Sequence, residues 1–575
     1  MSVIDLVIRG GLVCDGTGSE PYEADIAISG DRIVEIGKVT ARGRDEIDAT
    51  GRIVTPGFID LHTHYDGQAI WSERLVPSSQ HGVTTAILGN CGVGFAPCRA
   101  SDRERLIGVM EGVEDIPEVV MTEGLPWDWE TFPDYLDALD RRRRDIDVAA
   151  YVPHSALRVY VMGERGAARE SATPVDMEKM QTLVRGAMDA GAIGFATSRQ
   201  FIHRTCDGEM IPSFDAAEEE LRLLVAAMGE DRGAFQIVLD VPHGSWTDEL
   251  HMLRRVMGSS GRTAMFTLGQ GTSNPNDWRE ALAIVHEANA EGRSIRAQVF
   301  PRPIGIIVGL NLSANPFMDR PSYKQLPQDL AARVAALRDP AVRARILAEA
   351  PAGGMTPLQA MSNDFERMFP MADTPDYEPR MEDSVASRAR RQGVSPQELA
   401  YDLLLEDDGH AMLYVAIGNY GQGTLDPIRE MMLDEATVVG LGDGGAHYGM
   451  VCDASFPTFM LTHWVRDRAE NRLPLPWVVK ALTRDPALAV GLHDRGTIAP
   501  GMKADLNVID LDRIRLPKPT VKHDLPAGGR RITQDAEGYC ATIVSGVPIQ
   551  RDGIATGLLP GRLVRGGAQR ARQVA

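Results

Sequence analysis

His62 and His64 flank Thr63 in the run GFIDLHTHYDG. If the apolar residues ahead of them form an extended strand, side chains two apart leave it on the same side, and both imidazoles converge on one point. Neutral imidazole nitrogens suit Zn2+ at about 2.0–2.1 Å, so the pair reads as two ligands of one ion. The chain holds 13 histidines, enough for an H-x-H to arise by chance, so the weight rests on its place after an apolar run. Cys91 ends a second such run in LGNCGVG. Its thiolate would bind Zn2+ at about 2.3 Å or bridge two ions; the alternative is a small buried side chain in a glycine-rich turn. Asp443 stands in GLGDGGAH, where glycines on both sides let backbone and substrate come close. A carboxylate there can touch a metal and take a proton from water, or it can cap the helix that follows. His447, a little further on, reads as a surface group or as a support for those ligands.

These positions need a scaffold that gathers distant strand ends. Apolar, β-rich runs alternate with helical patterns through the middle of the chain, the mark of a parallel sheet with helical crossovers. Eight runs qualify, ending near His62, Cys91, His154, Thr197, Asp240, Gln270, Arg302 and Asp443. Eight strands close a (β/α)8 TIM barrel, an α/β fold whose reactive groups sit at the carboxyl ends of the strands and whose first and last strands are neighbours. Helices are expected over Pro174 to Asp189, Glu218 to Met228 and Asn276 to Ala290. From about Ile304 to Tyr420 runs an excursion rich in Pro, Arg and Met, too long for one crossover and expected to form a helical lid over the mouth. Short alternating strands precede the barrel (Asp5 to Arg9, Ala24 to Ser29, Arg32 to Ile36, Arg52 to Thr55) and return after it (Ala504 to Ile509, Ala541 to Val544). The expected division is a barrel over 56–490, with an insertion at about 304–420, between two parts of one small β-sandwich, 1–55 and 491–575. Two unrelated β-appendages are the alternative.

Composition narrows the partners. Of 575 residues, 43% are hydrophobic and 24% charged, which leaves ample material for a core. The formal net charge of -20 argues against a nucleic-acid surface, which needs a clustered basic face. The six cysteines follow no paired framework, and the stretch MSVIDLVIRGGLVCDG lacks a basic segment followed by an apolar one. No apolar run nears the roughly 18 residues of a spanning helix. These features predict a soluble, cytoplasmic protein without membrane or nucleic-acid partners and say little about a small-molecule substrate; association into a homo-oligomer stays open.

The runs VTPGFIDLHTHYDG (Val54 to Gly67), HGVTTAILGNCGVGFAP and GLGDGGAH, with GMKADLNVID near the end, resemble the D-aminoacylase branch of the amidohydrolase superfamily, zinc-dependent N-acyl-D-amino-acid deacylases. HDLPAGGRR (His523 to Arg531) is similar to a longer subgroup of that branch. The resemblance spans nearly the whole chain. It implies that His62, His64, Cys91 and Asp443 match metal positions, with Asp443 also the catalytic base and acid, and that the substrate is a linear amide of D configuration. The sequence departs from the family where strands five and six should each end in a histidine: Asp240 in QIVLD and Gln270 in TLGQG stand there instead. One Zn2+ on the four matched residues is therefore expected, a second staying open, with Asp240 or His203 as a substitute ligand or support and His243 as a further nitrogen. GAIGFATSRQFIHR holds no lysine that could be carboxylated to bridge two ions, as in hydantoinases. For an amide hydrolase, His154 and Tyr151 are candidate donors to the developing oxyanion, and Asp60 or Asp66 candidate acceptors for the ligand imidazoles. Arg199, Arg204 and Arg302 are candidate forks for a substrate carboxylate. Two other readings stay open. One is hydrolysis of another amide, an N-substituted formamide or a hydantoin-like cyclic amide; the other is a barrel that has lost catalysis and serves as a binding scaffold.

Overall fold

In the computed structural model, which describes residues 4–229, 233–241, 244–353 and 356–567, the eight expected runs are strands of a single parallel sheet. They cover Phe58–Asp60, Val83–Leu88, Asp147–Pro153, Gly194–Ser198, Ala234–Val238, Thr263–Leu268, Ser294–Val299 and Thr437–Val439, here strands one to eight. Each pairs with the next in chain order, the wiring of a TIM-barrel-like α/β fold. The first and last meet at their carboxyl ends. Thr63 bridges Gly444 in the parallel sense, the His64 amide donates to the Gly444 carbonyl (2.8 Å), and the Asp443 amide donates to the His62 carbonyl (3.0 Å). Ile59, Ile87, Ala149, Ala234, Met265 and Val438, drawn from six of the strands, share one inner apolar cluster, so the interior is packed rather than open.

The helices outside obey ordinary end signals. Pro174–Ala190 starts in a capping box between Thr173 and Asp176 and stops at Gly191, whose φ of 106° a larger residue would resist. Its Met180, Val184, Ala187 and Met188 fall on one face and are buried. Each of the Met and Val side chains taken from water contributes about 1.5–3 kcal/mol. The other two expected helices lie at Glu218–Ala227 and Trp278–Ala290. Beneath the strands the chain's last described stretch closes the floor: the Val148 amide donates to the Arg562 carbonyl (3.0 Å) and the Val564 amide to the Val148 carbonyl (2.7 Å).

Strands from both ends of the chain share one nine-stranded sheet. The early part gives Leu6–Val13, Tyr22–Ser29, Arg32–Gly37, Asp45–Asp48 and Ile53–Pro56; the late part gives Leu506–Ile509, Tyr539–Val544, Val547–Arg551 and Ile554–Ala555. The seam between them is antiparallel, with Val54 opposite Val508. Alternation puts Leu6, Ile8, Ile26, Ile28, Val54, Leu506, Val508, Ala541 and Ile543 in one buried cluster. Two β-clusters far apart in sequence are thus one sheet.

The excursion after strand seven differs from a purely helical lid. Ile304–Val308, Leu413–Gly418 and Met368–Pro370 form a three-stranded antiparallel sheet, and helices such as Leu330–Leu337 and Pro396–Leu404 pack with it around a separate apolar core. The β-branched content of IGIIV and LYVAIG favours strands, a signal that the surrounding Pro and Arg masked. This insertion touches the loop after strand eight through the Ile307 amide on the Met450 carbonyl (2.7 Å) and the Ser313 amide on the Gly449 carbonyl (3.0 Å). A ribbon of Thr520–Lys522 with Arg531–Thr533 reaches the same loop, where the Ile532 amide donates to the Tyr448 carbonyl (2.7 Å). Among the described residues no helix is long and apolar enough to cross a membrane.

Candidate active site

Thr63 faces away from the site, its amide and hydroxyl both donating to the Ile87 carbonyl (3.1 and 2.7 Å), which turns His62 and His64 the other way. Cys91 lies in a tight turn between Gly89 (φ 76°) and Gly92 (φ 66°) and itself has a φ of 56°. A β-carbon at Gly89 would come 2.4 Å from the Tyr151 carbonyl oxygen, and one at Gly92 2.6 Å from the Thr197 α-carbon, so both positions demand glycine. The Cys91 amide donates to Gln236 Oε1 (2.9 Å), and Asn90 ties the turn to strand one by donating to the Thr63 carbonyl (3.2 Å). These contacts aim the thiol at the two imidazoles.

The result is a compact donor set. Cys91 Sγ lies 3.3 Å from His62 Nε2 and 3.8 Å from His64 Nε2. Asp443 Oδ1 lies 3.5 Å from His62 Nε2 and 3.8 Å from His64 Nε2. A tetrahedral ion with bonds of about 2.0–2.3 Å would hold its ligands at edges of about 3.3–3.6 Å, so the spacing fits Zn2+. His62, His64 and Cys91 are the group of His, Cys, Asp and Glu donors dense enough to hold an ion among the described residues. Asp443 approaches this group from a strained loop: Leu441, Asp443 and His447 have φ of 72°, 47° and 51°. Its side chain remains 25% exposed while those of His62 and His64 are 3% and 1%, so the site opens to solvent at the carboxylate.

The electrostatics fit a cation. Burial pulls His62 down to about 4, against the bond to Gln298, and holds His64 well below its usual value, so both stay neutral at pH 7. Gln298 Oε1 accepts from His62 Nδ1 (3.2 Å), leaving the Nε2 lone pair toward the cluster. Burial, then the charges of Glu114, Asp443 and Asp66, push the Cys91 thiol well up. Asp443 and Glu114 are raised as well, mainly by burial. A divalent ion at the convergence point would reverse the thiol and carboxyl shifts.

Glu114 is the principal residue that sequence reasoning missed. It ends the helix Arg103–Glu114 and is fully enclosed, with Oε1 3.3 Å from His64 Nδ1, off the line of a hydrogen bond, and Oε2 3.6 Å from His447 Nε2. The His447 amide also donates to the Glu114 carbonyl. His447 is therefore a support for the site, one of the two roles its spacing allowed. His203 belongs to the same neighbourhood: Ser198 Oγ holds its Nδ1 (2.9 Å), while burial and then the charges of His447 and His62 lower it to about 3.

Several expected residues go elsewhere. Asp240 accepts the Phe201 amide (3.2 Å) and lines an outer cleft with Arg199 and Glu249, outside the donor set. Arg199 forks onto Glu249 (3.0–3.2 Å), and Arg204 donates to the Gly208 carbonyl (2.8 Å) while covering Phe201. Arg302, 1% exposed, bonds Asp453 (2.6 Å), the Cys452 carbonyl (2.9 Å) and Ser455 Oγ (3.0 Å), so it fastens the loop after strand eight rather than binding substrate. His154 has both nitrogens engaged, by Thr197 Oγ1 and Glu220 Oε1 (2.8 Å each), which leaves none for an oxyanion. Tyr151 is packed inside the barrel with Ile87 and Met265, where its hydroxyl has no hydrogen-bond partner among the described residues. Asp60 and Asp66 accept backbone amides, of His62 (3.1 Å) and Gly89 (3.1 Å), instead of imidazoles. Gln270 bonds the Pro275 carbonyl and the Gly421 amide (3.0 Å each), and His243 lies outside the described residues.

Comparison with known proteins places this geometry. Over 194 residues the chain is 35% identical to a D-aminoacylase of Alcaligenes xylosoxydans xylosoxydans, a stretch that is 34% of this chain and 37% of that protein, little more than a third of the relative's length. Over 553 residues it is 26% identical to an uncharacterised protein of Mycobacterium tuberculosis (strain ATCC 25618 / H37Rv), covering 88% of this chain and 84% of the other. An N-acyl-D-glutamate deacylase from Bordetella bronchiseptica, solved with zinc and a phosphonate inhibitor, shares the fold, with a TM-score of 0.64 at 23% identity over 98% of this chain and 100% of that one. The amidohydrolase family profile matches residues 45–550, a span that takes in all eight barrel strands and the four converging donors, and the chain belongs to the amidohydrolase family.

Proposed function

We propose that the protein hydrolyses the C–N bond of an N-acyl amino acid, of D configuration by its likeness to the D-aminoacylase and the N-acyl-D-glutamate deacylase, with one Zn2+ on His62, His64, Cys91 and Asp443. The observation that carries this is the convergence of donors from strands one, two and eight: Cys91 Sγ and Asp443 Oδ1 each lie 3.3–3.8 Å from the Nε2 atoms of both His62 and His64. When bound there, the ion supplies Lewis-acid polarisation of a carbonyl and acidification of water. The rest falls to the chain. His62, ordered by Gln298, and His64, backed by Glu114, hold their ring planes without rearrangement. Asp443, part exposed and raised by burial, takes the proton of the attacking water and passes it to the departing amine. Its left-handed backbone, fixed by the amide bond to His62, keeps the carboxylate over the imidazoles through both transfers. A single ion is preferred because Asp240 and Gln270 are bound to backbone groups elsewhere. In this reading residues 56–490 are the catalytic barrel, and 1–55 and 491–575 its terminal partner.

The test is metal analysis of purified protein, followed by a panel of N-acetyl-D-amino acids, their L-forms, N-substituted formamides and hydantoins. About one zinc per chain and turnover of the D-acids is the expected result. Turnover of formamides or hydantoins alone would move the substrate class. Absence of bound zinc, with no activity after reconstitution, would refute the enzyme reading in favour of a scaffold.

A further inference from the structure

The motif HDLPAGGRR near the end of the chain lies far in sequence from every strand of the barrel, yet it forms part of the wall around the mouth. Pro526–Gly528 packs on the helix Glu118–Gly124, and a β-carbon on Gly529 would meet Val120 at 2.3 Å, so Gly529 lets this segment lie close against the connection after strand two. Arg531 fastens it, with Nε and Nη2 on Asp524 (2.8 Å each) and Nη1 on the Val76 carbonyl (2.7 Å). The Ile532 amide then binds the Tyr448 carbonyl, next to His447, whose ring lies 3.6 Å from Glu114.

Arg530, just ahead of the strand, turns to the insertion and bonds Asn311, two residues before Ser313, whose amide holds the Gly449 carbonyl of the loop that carries Asp443. Its guanidinium is half-buried and makes a single hydrogen bond among the described residues, from Nη1 to Asn311 Oδ1 (3.1 Å). No carboxylate of the described residues lies within ion-pair reach of it. The nearby Asp115, which follows Glu114, is occupied by the Gly449 amide (3.0 Å) and by Ser313. A partly desolvated guanidinium with Nε and Nη2 unused is a fork that lacks its anion. Arg199, Arg204, Arg302 and Arg531, by contrast, are each committed to protein groups.

We propose that Arg530 is the specificity residue that anchors the substrate's carboxylate, so that the carboxyl-terminal ribbon completes the substrate site at the barrel mouth. The inference rests on the N-acyl-amino-acid reading, and it deepens that reading by naming which element selects an acid over a neutral amide. A half-buried cation left without its anion has lost part of its hydration, a cost that a carboxylate offsets and a carboxamide does not.

The zinc-loaded, full-length protein and its R530Q and R530K variants are compared on N-acetyl-D-leucine and N-acetyl-D-leucinamide, by turnover and by calorimetric binding, with zinc content measured in each. The wild type is expected to prefer the acid, and R530Q to lower the acid-to-amide ratio by about 10- to 100-fold, through KM rather than kcat, at unchanged zinc content. R530K, which keeps charge but not the fork, is expected to recover part of that preference. A ratio unchanged in R530Q, or equal loss on both compounds, would overturn the assignment and leave Arg530 as a structural partner of Asn311. Binding separates this outcome from failure of the functional reading. Preference for the acid without turnover supports Arg530 while sinking the deacylase, and equal binding of both compounds by the wild type sinks Arg530 whatever the chemistry.

Discussion

Replacing Glu114 by glutamine should loosen the metal without loosening the fold. The carboxylate sits 3.3 Å behind His64, on the side away from Cys91 and Asp443. Adding the width of the ring and one metal–nitrogen bond of about 2.0 Å puts it roughly 7 Å from an ion on Nε2. Metal binding brings two positive charges and expels the Cys91 thiol proton, while the Asp443 carboxylate is common to both states, so the site gains about one unit for Glu114 to act on. At an effective dielectric of about 20, a unit pair over that span is worth about 2.4 kcal/mol, or an affinity ratio of about 50. That lies within the 10- to 100-fold cost of losing a carboxylate that supports a ligand imidazole. Without metal the sign reverses. Glu114 is then an acid held well above its usual range by burial and by Asp443 and Asp66, and the neutral amide has no charge to desolvate. Competition against a chromophoric chelator should show E114Q binding Zn2+ about 50-fold more weakly, while the metal-free variant melts no lower than metal-free wild type. Zinc affinity within threefold of wild type, or a metal-free form destabilised by more than about 1 kcal/mol, would refute the electrostatic role assigned to Glu114.

Other consequences can be measured directly. D443N should lower kcat by about 10²- to 10⁴-fold, the usual yield of a positioned base and acid, while the His62, His64 and Cys91 donors still retain zinc in elemental analysis. The metal-free protein should lose stability as pH rises from 6.5 to 8. Burial lifts Asp60 to about 8, so between the unfolded carboxyl value and that point the folded state holds an extra proton, and stability falls as pH climbs. His62, lowered to about 4, works the opposite way but only below about 6.5, where unfolded histidine titrates. Over 6.5 to 8 the Asp60 effect is therefore unopposed by that histidine and amounts to at most about 2 kcal/mol; D60N should reduce the slope there, leaving the part that the raised Glu114 and Asp66 contribute. R302M breaks a buried pair with Asp453 and should cost about 3–5 kcal/mol in denaturant unfolding, whereas a loss under 1 kcal/mol would show that Arg302 is dispensable to the loop after strand eight.

The strands were legible because each is a short apolar run ending in a reactive or turn residue, and all eight lie within a few residues of where periodicity puts them. His62, His64, Cys91 and Asp443 were legible for the same reason: they follow directly on strand ends, so a position in sequence translates into a position at the mouth. Glu114 was not, because it sits at the end of an outer helix with nothing local to mark it, and its approach to His64 depends on how that helix packs. The arginines failed differently. Placement after a strand says where a guanidinium begins, but a long side chain is claimed by whichever carboxylate lies nearest, Glu249 for Arg199 and Asp453 for Arg302, and neither neighbour can be read from one-dimensional spacing. His154 and Asp240 were likewise drawn to partners from other elements. The insertion was misjudged because its Pro and Arg content hid three short strands.

The seam between Ile53–Pro56 and Leu506–Ile509 imposes an order of events on biosynthesis. The early strand leaves the ribosome with one edge bare, and its partner follows roughly 450 residues later, which at about 5–20 residues per second means some 20–90 s. Until then Val54 and its neighbours present unpaired backbone to other nascent chains. Pairing at such distance in sequence is also slow once both halves exist. Production of this protein in a foreign host should therefore improve with slower initiation or added chaperone far more than with changes to the barrel itself.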